Sequence, residues 1–254
     1  MLTQEQLRSF ERDGFVLVEG MFTQKEIDIL LEHTGTAERV VGRVFDMPDT
    51  GGRSSKLSLW NDIGDDVFGA VSASPRIVEN ARAILRDEVY HWHSKVMMKE
   101  PRVGGAWEWH QDYGYWYNDG CLYPRLVSAM LVLDEANREN GCLKVLVGSH
   151  HIGRIEHGSR GNQSGADPER ISEIVTRLPV HYVEAGPGSV LFFHCNLLHS
   201  SEPNLSNRPR RSYICCYNVM SNIPYGGKGH GEPTPLKMAA KDAIIKFAAE
   251  SPSV

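Results

Sequence analysis

His110, Gln111 and Asp112 set an imidazole and a carboxylate two residues apart. On an extended strand, residues at that spacing share a face, so the pattern predicts that both side chains enter one cavity. Together they make two thirds of a 2-His-1-carboxylate set, which grips Fe(II) on one side and leaves positions open for oxygen and substrate. The pair by itself arises easily by chance and reads first as a hydrogen-bonded couple at a strand end. A third donor has to return from far along the chain. His199 is the candidate, because an apolar run through Phe192 and Phe193 leads into it after the Gly186-Pro187-Gly188 turn; His150, His151, His181 and His194 compete with it. A dicarboxylic co-substrate also needs a cation for its far carboxylate, best met by the planar fork of arginine. Arg208, Arg210 and Arg211 follow His199 closely. The order His-x-Asp, then His, then Arg points to an iron oxygenase that uses 2-oxoglutarate. A hydrolytic zinc site with the same donors leaves the arginine without a purpose.

The elements that must position these residues are legible in outline. A helix is expected over 3–12, capped by Thr3, with Leu7 and Phe10 on one face. A strand over 15–18 follows, then a helix capped by Thr23 with Ile27, Leu30 and Leu31 inward, and another helix over 74–85. From there short β-type runs recur, at 94–99, 106–112, 126–133, 143–147, 180–183, 189–193 and 211–218, separated by Gly- and Pro-containing turns. Helices are expected over 167–178, as an insertion, and over 235–249. The pattern predicts a mainly β fold with flanking helices and a double-stranded β-helix, or jelly-roll, core. It predicts one domain over 1–254, with a helical N-terminal part at 1–88, the β-core at about 89–220 and a closing helix at about 235–249. The motif-poor stretch 33–69, with Gly51-Gly52, suits a mobile lid over a substrate.

Composition narrows the partners. With 41% hydrophobic and 23% charged residues, the chain reads as an ordinary globular protein. A formal net charge of -5 without basic runs argues against nucleic acid or an anionic membrane as partner. No apolar run is long enough to span a bilayer, and the N-terminus lacks the pattern of a signal peptide. The five cysteines form no C-x-x-C pair and are expected reduced and buried. The sequence therefore predicts a cytoplasmic protein acting on a small molecule, and the glycosylation patterns at Asn162 and Asn204 are read as chance.

Several motifs in fixed order carry a family resemblance. They are Leu7-x-x-Phe10-x-x-Asp13-Gly14-Phe15-x-x-Val18, then His110-Gln111-Asp112, then Glu139-Asn140-Gly141-Cys142-Leu143 and Gly148-Ser149-His150. Gly186-x-Gly188-x-x-x-Phe192-x-His194 and His199 with its downstream arginine complete the series. The chain resembles the phytanoyl-CoA dioxygenase family, which includes the ectoine hydroxylases. The resemblance implies Fe(II), 2-oxoglutarate and O2, with His110, Asp112 and His199 on the metal at a formal site charge near +1. It implies that Arg210, eleven residues after His199, pairs with 2-oxoglutarate, and that Ser201 lies near the same carboxylate. Trp116 matches a tryptophan of the ectoine hydroxylases. His93 stands where they carry a glutamine near the co-substrate, a departure from their pattern. Related halogenases have a small residue at the position of Asp112, so the resemblance implies hydroxylation with release of succinate and CO2. Desaturation, cyclisation or epimerisation on the same ligand set, and a non-catalytic cupin-like binding protein, remain as alternatives.

The substrate is less legible. Tyr113 and Trp116, with Trp107 and Trp109, form either an aromatic cage for an ammonium group or plain packing. Lys95 and Lys99 share a strand face and either meet an anionic substrate group or face solvent. No Gly-rich phosphate loop supports a CoA thioester.

Overall fold

The structure, a computed structural model, describes residues 1–160, 162–226 and 233–250. Its N-terminal half holds α1 (Gln4–Asp13), β1 (Phe15–Val18), α2 (Gln24–Thr36), α3 (Glu38–Val41), β2 (Phe45–Pro48), β3 (Ser54–Trp60), α4 (Val67–Ser72), α5 (Pro75–Leu85), β4 (Val89–Lys99), β5 (Trp107–His110) and α6 (Asp112–Trp116). Then come β6 (Leu126–Val132), β7 (Leu143–Leu146), a 3-10 turn (Ser149–Ile152), β8 (His157–Arg160), β9 (Gln163–Ala166), α7 (Pro168–Ile174), β10 (Val180–Tyr182), β11 (Val190–His194), β12 (His199–Ser201), β13 (Arg210–Val219) and α8 (Ala243–Glu250).

The strands form two antiparallel sheets, in the orders β1-β11-β6-β13-β4-β3-β2 and β10-β7-β12-β5, with β8-β9 as a separate hairpin. This is the expected jelly roll. Period-2 alternation explains how the large sheet serves two cores. From β13, Tyr213, Cys215, Tyr217 and Val219 pack with helix residues such as Phe10, Ile27, Phe68 and Ile77. Ile214 and Cys216 turn the other way, into a second core shared with Val145 of the small sheet. Arg210 and Ser212 share that inward face.

On β4 a bulge resets the alternation. His93 pairs with Cys216 and His91 with Tyr217, so Trp92 is the extra residue. Tyr90, Trp92 and Met97 consequently all reach the inner core, and His93, Lys95 and Lys99 fall on the inner face with Met97.

The helix starts follow from local chemistry. Thr3 and Thr23 each close a capping box, with Gln6 and Glu26 respectively, and such caps contribute about 1 kcal/mol each. At the end of α1, Gly14 adopts φ 87°, and a Cβ there would lie 2.5 Å from His150 Nδ1. His150, in turn, reaches the Glu11 carbonyl through Nε2. The Gly148-Ser149-His150 motif thus buttresses the helix and does not serve the metal.

Several expectations need correction. Residues 33–69 carry β2, β3 and two short helices in place of a lid, and β3 pairs with β4 from Lys56↔Met98 to Trp60↔Ser94. The N-terminal part is therefore not merely helical, since it adds three strands to the large sheet. The strand expected over 106–112 stops at His110, and Asp112 opens a helix. The closing helix begins only at Ala243. Upstream of it the Ala239 amide donates to Ala73 O at 2.9 Å, a tertiary bond that replaces the helical ladder. All five cysteines are free and buried, as expected. Among the described residues, no helix is long and apolar enough to cross a membrane.

Candidate active site

His110 ends β5 and His199 opens β12, and the two are register partners across the small sheet. Their ring centroids lie 4.1 Å apart. Asp112 Oδ1 stands 3.9 Å from the Nε2 atom of each imidazole. All three residues are buried, and their donor atoms lie within 4.8 Å of one another.

The surroundings settle which atoms face the common point. His110 Nδ1 meets Glu108 O at 2.7 Å and His199 Nδ1 meets Leu197 O at 2.9 Å. A carbonyl only accepts, so each Nδ1 carries the proton and each Nε2 presents a lone pair. Burial lowers both imidazole pKa values, that of His110 well below the usual range. Both rings are therefore neutral at pH 7, and their contacts with Asp112 are not ion pairs.

Burial alone would raise the Asp112 carboxyl. Lys95, with Nζ 3.8 Å from Oδ1, and the other neighbours outweigh it and hold the carboxyl well below the usual carboxylate range. Ser128 Oγ donates to Oδ2 at 2.8 Å, which leaves Oδ1 toward the histidines. Two neutral nitrogens and one carboxylate oxygen, gathered on one side of a point, fit Fe(II). Burial pushes the nearby Cys195 and Cys216 thiols up, so they stay protonated and do not compete as ligands.

The turn that brings Asp112 round depends on Gln111. Its amide donates to Gly153 O (2.7 Å) and Asn196 O (2.8 Å), and accepts from Ile155 N at 2.7 Å. The Tyr113 amide is held by Cys195 O at 2.9 Å. Ser128 is the remaining support. Ser128→Ala is expected to weaken Fe(II) binding about 10- to 100-fold, the usual effect of losing a partner behind a metal ligand. Competition against a chromophoric chelator measures this, and unchanged affinity would remove Ser128 from the site.

Beside the donors, Lys95, Ser201, Arg210 and Ser212 line the same small cavity. Arg210 is 4% exposed, and no ion pair engages it among the described residues. Burial lowers the pKa of its guanidinium, opposed by Cys142 and Asp134. The buried hydroxyls of Ser200 and Ser212 have no hydrogen-bond partner. Unpaired buried donors of this kind are costly, so the cavity is built for an anion. Arg208 and Arg211 are engaged elsewhere. Arg208 meets Glu135 at the surface (3.3 Å), and Arg211 forks onto Asp134 (2.8 and 2.9 Å).

A model of the phytanoyl-CoA dioxygenase family matches residues 10–212. The chain belongs to this family. It is a non-haem iron dioxygenase with 2-oxoglutarate as co-substrate. An ectoine dioxygenase of Bordetella bronchiseptica is 29% identical over 258 residues, covering 96% of this chain and 84% of that one. An L-proline trans-4-hydroxylase of Streptomyces griseoviridis is 28% identical over 223 residues, covering 82% and 77%. The structure of EctD from S. alaskensis with 2-oxoglutarate and 5-hydroxyectoine is similar at TM-score 0.76 and 26% identity, over 93% of this chain and 87% of that one.

Against this family frame, the other expected site residues separate. Lys95 lines the cavity, whereas Lys99 lies fully buried behind Ser201; neither faces open solvent. His93 is buried with its ring 5.6 Å from Trp116, which also packs edge-on against Trp92 at 6.4 Å. The Tyr113 hydroxyl is bound to Cys121 O at 3.0 Å. These three sit in a packed aromatic layer outside the cavity lining. Trp107 and Tyr115 instead stand 6.2 and 5.7 Å from His110. Of the competing histidines, His194 accepts from Asn196 N at 3.0 Å, with its pKa pushed down by burial to about 3, and His181 stacks on Phe15 at 5.3 Å. Sequence reading missed Ser212 and Ser128. Ser212 lies two residues after Arg210, and alternation alone could have found it. Ser128 reaches Asp112 only through tertiary packing and left no signal.

Proposed function

We propose that this enzyme hydroxylates a C–H bond of a small, cyclic, zwitterionic metabolite, releasing succinate and CO2. The observation that carries the reading is the joint presence, in one buried cavity, of three converging metal donors and an arginine without an acid partner. Two relatives whose names refer to small cyclic zwitterions, ectoine and L-proline, support the substrate class.

His110 and His199 would hold the iron through Nε2 and Asp112 through Oδ1. Bound there, Fe(II) supplies oxygen activation coupled to oxidative decarboxylation of 2-oxoglutarate. Arg210 neutralises the distal carboxylate of the co-substrate, and the Ser201 hydroxyl donates beside it. Ser212, on the same strand face as Arg210, supplies a further donor. Lys95 keeps Asp112 ionised and stands next to the metal side of the cavity. Trp107 and Tyr115 wall the approach to His110 and exclude water there. Tyr115 is fixed for this by its hydroxyl, which donates to Ser164 O at 2.6 Å. Trp116, Tyr113 and His93 act by packing behind this wall. We assign the protein to the cytoplasm, a reading supported by its free, buried cysteines.

Anaerobic addition of Fe(II) and 2-oxoglutarate to the apo-protein should produce the weak visible charge-transfer band of a chelated co-substrate. The band should bleach on admitting O2. Ectoine-like compounds and cyclic amino acids should then stimulate succinate release above the uncoupled rate. Iron binding without a band would overturn the co-substrate assignment. A band with stimulation only by acyl or aromatic compounds would overturn the substrate class.

A further inference from the structure

Lys99 ends β4 and has no solvent exposure. A lysine at that depth has lost its hydration, which is costly unless other groups take up its N–H donors. No ion pair holds it among the described residues. Nζ donates instead to Ser201 Oγ at 2.8 Å and to the backbone carbonyl of Glu202. Across the sheet its register partner is Arg210. Two buried basic side chains thus lie close to Ser201, and no ion pair engages either among the described residues. Burial, and next the charge of Arg210, pull the Lys99 pKa well below its ordinary value, against the opposing charges of Glu202 and Asp49.

A serine hydroxyl has one proton to give and two lone pairs. Lys99 occupies one lone pair of Ser201. The proton and the second lone pair remain, and the proton is the one that an anion in the cavity, which Ser201 lines together with Arg210, would accept. We infer that Lys99 is a positioning residue for the co-substrate: by donating to Ser201 it makes that hydroxyl a donor toward the distal carboxylate of 2-oxoglutarate. Lys99 does not line the cavity and so acts through Ser201. The inference rests on the co-substrate roles proposed above for Arg210 and Ser201. It gives the pocket a layered set of donors, which favours a dianion over a monoacid that lacks the far carboxylate.

The test uses the full chain loaded with Mn(II) under argon and reads 2-oxoglutarate binding by calorimetry, with Mn(II) affinity and Tm recorded alongside. Lys99→Met should weaken 2-oxoglutarate about tenfold to a hundredfold, the scale of a hydrogen bond to a charged group. Mn(II) affinity should not change, nor should binding of pyruvate, which lacks the distal carboxylate. Ser201→Ala should weaken 2-oxoglutarate similarly, and the double variant should be no worse than Ser201→Ala alone, because the lysine acts through the hydroxyl. A lowered Tm with wild-type 2-oxoglutarate binding would mean a purely structural lysine and would overturn the inference, as would strict additivity in the double variant. If Lys99→Met does not fold, the lysine 15Nζ resonance of the Zn(II)-loaded wild type replaces it. That resonance should shift on adding 2-oxoglutarate and should not do so in Ser201→Ala; a signal blind to the co-substrate overturns the inference. Arg210→Met separates the two levels of argument. If it binds 2-oxoglutarate normally, the co-substrate site itself is wrong; if it fails to bind while Lys99→Met succeeds, only the role of Lys99 is lost.

Discussion

Arg210→Met should abolish useful binding of 2-oxoglutarate while leaving the apo-protein at least as stable as wild type. The two halves of this prediction have one cause. Arg210 is buried, faces the metal donors across a small cavity and has no ion pair there. Removing one partner of a buried ion pair costs about 3–5 kcal/mol, so the affinity for the co-substrate should fall by about two to four orders of magnitude. Without the co-substrate, however, the guanidinium is a desolvated charge with no ion-pair partner among the described residues. Replacing it by an apolar chain of similar length removes that burden. Arg210→Lys should restore only part of the affinity, because an ammonium cannot fork onto a carboxylate. Arg208→Ala should be indistinguishable from wild type. Arg211→Ala should lower Tm through loss of its pairing with Asp134 and leave 2-oxoglutarate binding intact. Calorimetric titration and thermal denaturation of the four variants decide this. A wild-type response from Arg210→Met, coupled with a binding defect in Arg208→Ala or Arg211→Ala, would place the co-substrate elsewhere.

The second large effect is expected at Asp112. Asp112→Ala should reduce substrate-dependent succinate release to background and weaken Fe(II) by more than about 100-fold, since loss of partners one step further out already costs 10- to 100-fold. The variant also leaves Lys95 without its nearest anion, 3.8 Å away, so a like-charged ion is opposed in a buried space. Asp112→Asn refines the argument. It keeps an oxygen in place but removes the charge, and it should be nearly as inactive. If Asp112→Asn retained iron affinity and turnover, the carboxylate would be a structural partner of Ser128 and the histidines, and the metal reading would fail.

Much of this site was legible in the sequence, although one part was reached for the wrong local reason. Strand alternation put His110 and Asp112 in one cavity. In the structure the strand ends at His110, and a turn braced by Gln111 delivers Asp112 to the same point. Arg210 was separable from its two neighbours only by family spacing, because all three arginines look alike until their partners are seen. Lys99 could not be placed, since nothing in a lysine codon by codon reveals burial; its position follows from pairing with β13 and from the return of β12. Strand β3 was overlooked for a related reason. Ser55 and Ser58 are buried, yet read as polar, because their hydroxyls are satisfied by Gly105 O and Val40 O. The helix caps at Thr3 and Thr23 were readable because capping is local chemistry that needs no fold.

The division of the site between two sheets has a further consequence. The small sheet brings His110 and His199, the large one Arg210 and Lys95, and Asp112 enters from a turn between segments far apart in the chain. A nascent chain that ends before Arg210 holds only part of this set. Oxygen-activating capacity is thus withheld until the sandwich has closed, so an unfinished chain carries no reactive centre against its own backbone, and loading with metal becomes a readout of completed assembly.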